Sequence, residues 1–323
     1  MIRCLHLVSF LLITLIRVQA EVVDTQAWEK RSPENTDDLL AIQKRLKELL
    51  PGAKKGLVGI EAMDGAGSGV VVSSDGLILT AAHVIGKTGK KMKVRFPDGK
   101  TASAISLGGS EISDAGMLQI LDKGPWPFVE IAKNKNSKIG DWCFGIGHPG
   151  GFDSERGIVV RIGRIIEKKD ETMQTDSRLL GGDSGGPLFD FDGKVIAIHS
   201  RISKRPDQNF HVPIESFRAN WDFFRKEKLL TNEKIERGGF LGVSCEEREE
   251  GLVIQSVVPN SAAEQAGLRQ GDILLRINNQ PIVNREKLTI LISTKDVSEK
   301  VVIRYKRENK AHDLSLRLGS RLE

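Results

Sequence analysis

The most constraining stretch of this sequence is LLGGDSGGPLF, residues 179–189, in which glycines flank Asp183 and Ser184 on both sides. An ordered glycine loses much conformational entropy, so it is usually kept where the backbone needs a positive φ or a close approach. Such a cluster around one serine favours a nucleophilic Ser184 beside a backbone site that binds an anion. A structural turn serine is the alternative explanation of the same pattern.

Two further segments carry the partners that a nucleophilic serine needs. TAAHV places His83 at the end of a predicted strand, and SDAGMLQI places Asp114 directly before another. A histidine accepts the proton of the serine hydroxyl, and an aspartate orients that histidine and stabilises its protonated form. We therefore predict a catalytic triad of His83, Asp114 and Ser184, with the N–H groups of Gly182 and Ser184 as the oxyanion hole.

The chain order of these three residues, His–Asp–Ser, is typical of chymotrypsin-type barrels rather than of subtilisin or the α/β-hydrolases. Asp98 and Asp122 also lie between the histidine and the serine. We prefer Asp114 because its context, D-A-G-M-L-Q-I, is a polar residue that opens a buried strand.

The distribution of apolar residues predicts two kinds of domain. From residue 56 to about residue 212, short β-like runs alternate with glycine turns, a pattern typical of an all-β barrel or sandwich pair. Residues 215–230 then have a helical pattern with aromatic side chains on one side. A second unit begins near Arg237, where roughly 85 residues of mixed strand and helix patterns suffice for one compact domain.

The N-terminal residues 1–20 have the pattern of a secretory signal peptide. They combine a basic start, an apolar stretch from Leu5 to Ile16, and V-Q-A before Glu21. The apolar stretch is short for a membrane span, so we expect cleavage and export. An uncleaved membrane anchor is the alternative.

An amphipathic helix is predicted within the N-terminal segment, residues 21–55. Thr36 is its expected N-cap, and Pro51 is expected to end it. Its apolar stripe either packs on its own domain or forms an oligomer contact.

Composition and charge exclude several classes of function. Hydrophobic residues make up 39% and charged residues 28% of the chain, which is a soluble globular profile. The net charge of +5 is modest and its basic residues are interspersed with acidic ones, so nucleic-acid binding is not predicted. The histidines are scattered and no C-x-x-C pair occurs, so we predict no metal and no other cofactor. Cys143 and Cys245 fall in different predicted domains, so no intramolecular disulfide is expected.

Several segments together resemble the HtrA/Deg family of trypsin-like serine proteases. The protease-like segments are GSGVVVSSDGLILTAAHVI, DAGMLQI, GIGHPGG and GGDSGGPLFDFDGKVIAI. The later segment GFLGV…GLVIQSVVPNSAAEQAGLRQGDILLRINNQPI resembles the PDZ domain that follows the protease domain in this family. The resemblance implies a mostly β fold: a two-barrel chymotrypsin-like protease domain over residues 56–232, followed by a small α+β PDZ domain over residues 237–320.

The resemblance also implies a function. Family members are serine endopeptidases that cleave misfolded or unfolded proteins in the periplasm or another extracytoplasmic compartment, and they assemble as trimers or larger oligomers. The PDZ domain would bind C-termini or extended peptides at a loop formed by Gly239, Phe240, Leu241 and Gly242, and could regulate activity. In that loop, the last three residues would offer exposed N–H groups to a C-terminal carboxylate.

Two alternative functions stay open at this point. The chain could be a narrow processing protease that cuts one regulatory partner. It could also be a PDZ-bearing chaperone or adaptor whose protease fold is silent.

Three residues depart from the family pattern. Asp183 stands where the family usually has asparagine before the serine, His199 also replaces an asparagine, and His211 replaces a small residue. At His199 the chain resembles the glutamyl endopeptidases, whose histidine there contacts an acidic P1 side chain. We predict that His199 and His211 line the substrate pocket, and that a protonated His199 favours Glu or Asp at P1. A histidine hydrogen-bonded within the barrel is the alternative.

Overall fold

The structure is a computed structural model that describes residues 26–62, 65–133, 137–169, 171–202 and 208–321. The predicted signal peptide lies outside the described residues. Within these ranges, no helix is both long enough and apolar enough to cross a membrane.

The N-terminal helix α1 (Thr36–Lys54) is longer than predicted. Its N-cap is Asn35 rather than Thr36, because the Asn35 side chain accepts a hydrogen bond from the N–H of Asp38. Pro51 lies inside the helix and does not end it. A proline removes one backbone N–H donor, and here one further turn follows despite that loss.

Helix α1 packs on its own chain. Ile42 is buried in the same apolar core as Phe191, and Arg45 Nε donates a 3.0 Å hydrogen bond to the Phe191 carbonyl oxygen. Leu39 and Leu40, in the first turns of the helix, are exposed. This packing supports the role of the apolar stripe in holding α1 on its own domain.

Six antiparallel strands form the first barrel, and alternation of apolar and polar residues decides which side chains face its interior. The strands are β1 (Leu57–Ala62), β2 (Gly65–Val71), β3 (Leu77–Ala81), β4 (Lys91–Arg95), β5 (Thr101–Ser110) and β6 (Ala115–Ile120). They pair in the order β5-β4-β1-β2-β3-β6, and β6 also pairs with β5, which closes the barrel. In β4, Met92 and Val94 are buried whereas Lys91 and Lys93 are exposed, as the two-residue period of a strand requires. The short helix α2 (Ala82–Ile85) directly follows β3.

The second barrel is also closed. Its strands are β7 (Trp142–Gly147), β8 (Val159–Lys169), β9 (Thr172–Thr175), β10 (Pro187–Phe189), β11 (Val195–Ile202) and β12 (Asn209–Pro213). They pair in the order β10-β11-β12-β9-β8-β7, and β10 pairs with β7. Phe144 and Phe189, on these adjacent strands, stack in the core with ring centroids 5.1 Å apart.

The segment after the second barrel differs from the single helix predicted over residues 215–230. It forms two short helices, α3 (Ile214–Ala219) and α4 (Trp221–Arg225), which are separated at the buried Asn220. Asn220 leaves the helical conformation, with φ −121° and ψ 14°, and its side-chain amide donates to the Ser216 carbonyl oxygen. The chain then adds a short parallel strand to β5 and one more helix. These elements are β13 (Leu229–Leu230) and α5 (Asn232–Arg237).

The C-terminal domain is a sheet covered by two helices. Its strands are β14 (Val243–Arg248), β15 (Gly251–Val257), β16 (Ile273–Ile277), β17 (Gln280–Pro281), β18 (Lys300–Arg307) and β19 (Lys310–Arg317), and its helices are α6 (Ala262–Gln265) and α7 (Arg285–Ser293). The main strands pair in the order β14-β15-β16-β18-β19. A separate apolar core lies within this domain, formed by residues such as Ile254, Leu291 and Val301.

Candidate active site

His83 and Asp114 meet where two neighbouring strands of the first barrel end. His83 lies in α2 after β3, and Asp114 directly precedes β6, which pairs with β3. His83 Nδ1 is 3.0 Å from each carboxylate oxygen of Asp114, and the His83 backbone N–H donates to Asp114 Oδ1 at 3.0 Å. Asp98 and Asp122 instead accept hydrogen bonds from backbone N–H groups elsewhere in the barrel. The fold therefore brings Asp114, of the three aspartates considered, to the histidine.

This contact changes the acidity of both groups. The hydrogen bond to Asp114 raises the pKa of His83 above its usual value. Burial raises the pKa of Asp114, but hydrogen bonds from His83 and Ser200 outweigh this and hold the pKa below its usual value. Asp114 has a left-handed backbone, with φ 62°, which is uncommon outside glycine and asparagine-like residues. Its carboxylate is thus ionised and fixed against the imidazole at neutral pH.

Ser200, which the sequence analysis did not identify, connects the aspartate to the serine. Its hydroxyl donates a 2.6 Å hydrogen bond to Asp114 Oδ2, and its backbone carbonyl accepts a 3.0 Å hydrogen bond from Ser184 Oγ. Ser184 Oγ therefore points toward Ser200 rather than toward His83 in this structure. The only sequence signal was that Ser200 directly follows His199.

Two glycines of the opening motif occupy positions that no other residue fits. Gly182 has φ +94°, and a Cβ there would lie 2.6 Å from the backbone nitrogen of Gly150. Gly185 has φ +87°, and a Cβ there would lie 2.0 Å from the carbonyl oxygen of Ser68. Both positive φ and close approach thus explain the glycine cluster around Ser184.

The backbone beside Ser184 presents two free donors. In the described part of the chain, the N–H groups of Gly182 and Ser184 have no acceptor, and both residues are partly exposed. Ser68 fixes this loop, since its hydroxyl donates to the Gly182 carbonyl at 2.9 Å and its N–H donates to the Ser184 carbonyl at 2.8 Å. The Gly181 carbonyl is occupied by the N–H of Gly150 at 2.6 Å. The two free N–H groups are therefore available to an anion.

His199 and His211 form a buried pair behind this loop. They lie opposite each other on β11 and β12, with their Nδ1 atoms 2.9 Å apart, and His211 Nε2 is 2.7 Å from Thr175 Oγ1. Each histidine is only 1% exposed. Burial lowers the pKa of His199 well below its usual value and that of His211 to about 3. Both rings are therefore neutral at neutral pH.

The predicted peptide loop lines a groove in the C-terminal domain, next to helix α7. Gly239, Phe240, Leu241 and Gly242 line this groove together with Leu288 and Ile292 of α7. Among the described residues, the N–H groups of Leu241 and Gly242 have no acceptor. The expectation of an exposed N–H at Phe240 is wrong, because that group donates to the Gly319 carbonyl oxygen at 2.9 Å.

Helix α7 also reaches the protease domain through a buried carboxyl. Glu286 accepts a 2.6 Å hydrogen bond from Ser113 Oγ and a 2.9 Å hydrogen bond from Asn220 Nδ2. Burial raises the pKa of Glu286 to about 7. No motif in the sequence marks this residue, because both partners lie far away along the chain.

Comparison with known proteins agrees with this architecture. Residues 67–198 match the trypsin-like peptidase domain, and residues 239–318 match the PDZ domain. A relative from Pseudomonas fluorescens, named a probable periplasmic serine endoprotease DegP-like, is 32% identical over 274 residues, which are 79% of this chain and 56% of the relative. A protein of the same name from Rickettsia conorii is 29% identical over 275 residues, 79% of this chain and 53% of the relative. The chain belongs to the HtrA/Deg family of trypsin-like serine proteases.

Solved protease structures share the fold. The serine endoprotease from Yersinia pestis has a TM-score of 0.56 at 23% identity, and the match covers 84% of this chain and 97% of that one. The HtrA-type protease AlgW with a tripeptide has a TM-score of 0.58 at 22% identity, covering 84% and 96%. The predicted mostly β fold, two chymotrypsin-like barrels followed by a PDZ domain, is confirmed. This chain spans about half the length of the curated HtrA/Deg relatives described above.

Proposed function

We propose that this chain is an exported HtrA-like serine endopeptidase that cleaves misfolded or unfolded proteins. One observation carries the proposal: both oxygens of Asp114 hold His83, while the loop of Ser184 presents two free N–H groups, those of Gly182 and of Ser184 itself. The names of the curated relatives support both the reaction and an extracytoplasmic location.

In the proposed mechanism, Ser184 Oγ attacks the carbonyl carbon of a peptide bond as His83 Nε2 takes its proton. Asp114 orients His83 through Nδ1 and stabilises its protonated form. The N–H groups of Gly182 and Ser184 stabilise the negative charge on the former carbonyl oxygen. The C–N bond then breaks, and the leaving amine receives the proton from His83. Water, deprotonated by His83, hydrolyses the acyl-enzyme and regenerates Ser184.

The first step requires a movement of one side chain. Ser184 Oγ must turn from the Ser200 carbonyl toward His83, which rotation about χ1 would accomplish. Catalytic hydrogen bonds that are absent without substrate commonly form in the substrate complex. A substrate strand that occupies the Ser200 carbonyl would remove the present partner of Ser184 and favour this rotation.

His199 and His211 are proposed to form a wall of the substrate pocket. Their position supports this role, because His199 lies on β11 directly before Ser200 and its N–H donates to the Gly186 carbonyl at 2.7 Å. Since both rings are neutral near neutral pH, His199 would meet an acidic P1 side chain as a neutral N–H donor. A neutral His199 that donates from Nε2 has an acceptor at Nδ1, so His211 would donate to it from Nδ1 across the 2.9 Å contact.

The C-terminal groove is proposed to bind a C-terminal or extended peptide. A C-terminal carboxylate would accept hydrogen bonds from Leu241 and Gly242, and the peptide would add as a strand beside β14. The contact between Glu286 and Ser113 supports a regulatory role, because α7 lines this groove and also touches the protease domain.

Assembly into a trimer or larger oligomer is proposed from the family alone. The exposed Leu39 and Leu40 on α1 are available to such a contact. Residues 1–20 are proposed to act as the export signal, and retention of these residues as an anchor is the alternative.

The deciding experiment compares the mature protein with its Ser184→Ala variant. We expect hydrolysis of unfolded casein and covalent labelling by a fluorophosphonate, with kcat falling roughly 10⁶-fold in the variant because the nucleophile is missing. Ser74→Ala, an exposed turn serine, is the matched control and should keep full activity. Labelling that persists in Ser184→Ala, or an unlabelled and inactive parent protein, contradicts the proposal.

The same assay separates the two alternative functions. A narrow processing protease would be labelled by fluorophosphonate but would leave casein intact with and without a PDZ-binding peptide. A chaperone with a silent protease fold would not be labelled at all.

A further inference from the structure

Asp183 places a buried carboxylate at the centre of the proposed oxyanion site. The residue lies between Gly182 and Ser184, whose N–H groups are free, and it is only 1% exposed. Its Oδ2 accepts a 2.8 Å hydrogen bond from the N–H of Leu180, which closes the turn that leads into Gly182. Its Oδ1 is buried without a hydrogen-bond partner in the described part of the chain.

A buried negative charge at this position opposes the proposed reaction. The tetrahedral intermediate carries its own negative charge next to the N–H groups on either side of Asp183. Like charges repel strongly where water is excluded, and an isolated buried carboxylate is itself costly. An effective site must therefore supply a positive charge to this carboxylate.

Arg161 supplies that charge from a neighbouring strand. Its Nη2 lies 2.9 Å from Asp183 Oδ2, and the side chains of Arg161 and Asp183 are 11% and 1% exposed. Its Nε donates to the Arg178 carbonyl oxygen, so the guanidinium is held on two sides. Arg161 lies on β8 opposite Gly145 of β7, which fixes its place in the second barrel.

We propose that Arg161 is a positioning residue for peptide hydrolysis, acting through Asp183 on the N–H groups of Gly182 and Ser184. This inference rests on the function proposed above. The ion pair neutralises the buried carboxylate and holds it where it can accept the Leu180 N–H. Arg161 thereby keeps the loop in the conformation that leaves both donors free for the oxyanion. It does not touch the substrate.

The proposal predicts a specific pattern in a double-mutant cycle. Arg161→Ala should lower kcat on a fluorogenic peptide by about 10²-fold with KM nearly unchanged, the size of losing one oxyanion donor. Asp183→Asn in the same chain removes the unpaired charge while its amide oxygen can still accept the Leu180 N–H. The double variant should therefore recover to within about tenfold of the parent kcat. Lys169→Ala, which breaks an exposed ion pair on the same strand, is the matched control and should have the parent kcat.

Thermal melting and fluorophosphonate labelling of Ser184 accompany each variant. A folded Arg161→Ala with the parent kcat overturns the proposal. So does a folded double variant that stays as slow as Arg161→Ala, because Arg161 would then act by packing rather than by charge. An inactive and unlabelled parent protein instead overturns the proposed function and this inference together, whereas the first two results leave the proposed function standing.

Discussion

Glu286, in the PDZ domain, is hydrogen-bonded to Ser113, the residue directly before the aspartate that orients His83. The Ser113 hydroxyl lies 2.6 Å from Glu286 Oε1, and both side chains are buried. Asn220, at the break between α3 and α4, binds the other carboxyl oxygen at 2.9 Å. One side chain of α7 is thus hydrogen-bonded to the side chain of the residue next to Asp114.

We predict that this contact makes stability depend on pH. The pKa of Glu286 is raised by burial from its usual 4.5 to about 7, so the folded chain holds a proton that the unfolded chain releases. The contribution of Glu286 to the free energy of unfolding should therefore fall by about 3 kcal/mol as pH rises from about 4.5 to about 7, and then level off. The buried His199 and His211, which stay neutral in the folded chain, contribute a rise over an overlapping range, so the Glu286 contribution is the difference between the parent chain and Glu286→Gln. Urea unfolding across this pH range measures the effect.

Glu286→Gln should remove this contribution, since the amide keeps a hydrogen-bonding group but has no proton to lose. Glu246→Gln, at an exposed glutamate on β14, should leave the dependence as in the parent chain. Equal pH profiles for the parent chain and Glu286→Gln would show that Glu286 does not titrate between the domains.

A second prediction concerns the pH dependence of hydrolysis. His83 must be neutral to accept the Ser184 proton, and its pKa is raised by the hydrogen bond to Asp114. The value of kcat/KM should therefore rise with pH through a midpoint above the usual histidine range. Asp114→Asn should shift this midpoint downward and lower kcat by about 10⁴-fold, since an amide no longer stabilises the imidazolium. An unchanged midpoint in Asp114→Asn would count against the proposed pair.

Ser200→Ala tests the residue that connects Asp114 and Ser184. It removes the 2.6 Å hydrogen bond to Asp114 Oδ2 but keeps the backbone carbonyl that accepts from Ser184. A hydrogen bond to a charged group contributes about 1.5–3 kcal/mol, so kcat should fall by roughly 10- to 100-fold. Steady-state kinetics on a peptide substrate give the result, and parent-like kcat would show that Asp114 needs no such support.

The fourth prediction concerns the residue that precedes the cleaved bond. If His199 lines the pocket, a P1 peptide library should show Glu or Asp ahead of Val, Ala and Leu. His199→Asn should reduce the ratio of cleavage after Glu or Asp to cleavage after Val, Ala or Leu by at least about tenfold. The substitution removes the buried imidazole N–H that would donate to the acidic side chain. A parent profile led by Val, Ala or Leu would end this assignment for His199 and His211.

The sequence was sufficient where local patterns carry the signal. The fold was predicted from the alternation in the strands and from the chain order of His83, Asp114 and Ser184. The glycines beside Ser184 marked the candidate site, in which His83 and Asp114 do lie close together. It failed where tertiary contacts decide the outcome. Pro51 does not end α1, and Asn220 divides the predicted helix, partly because its amide binds Glu286 of the other domain.

The contacts of Ser200 and Arg161, by contrast, could not be predicted from the sequence. Ser200 and Arg161 look like ordinary strand residues until the barrels close around them. Their roles follow from side chains that folding brings to Asp114 and Asp183, respectively. Such pairings depend on three-dimensional position rather than on any local motif.

The cation that pairs with Asp183, Arg161, is part of β8, so the ion pair forms only when the second barrel folds. Separation of β8 from β7 would remove Arg161 from Asp183. The buried Asp183 carboxylate would then have no cation beside it, next to Ser184. A partly unfolded molecule of this chain would therefore lose hydrolytic activity before it could cleave other protein molecules.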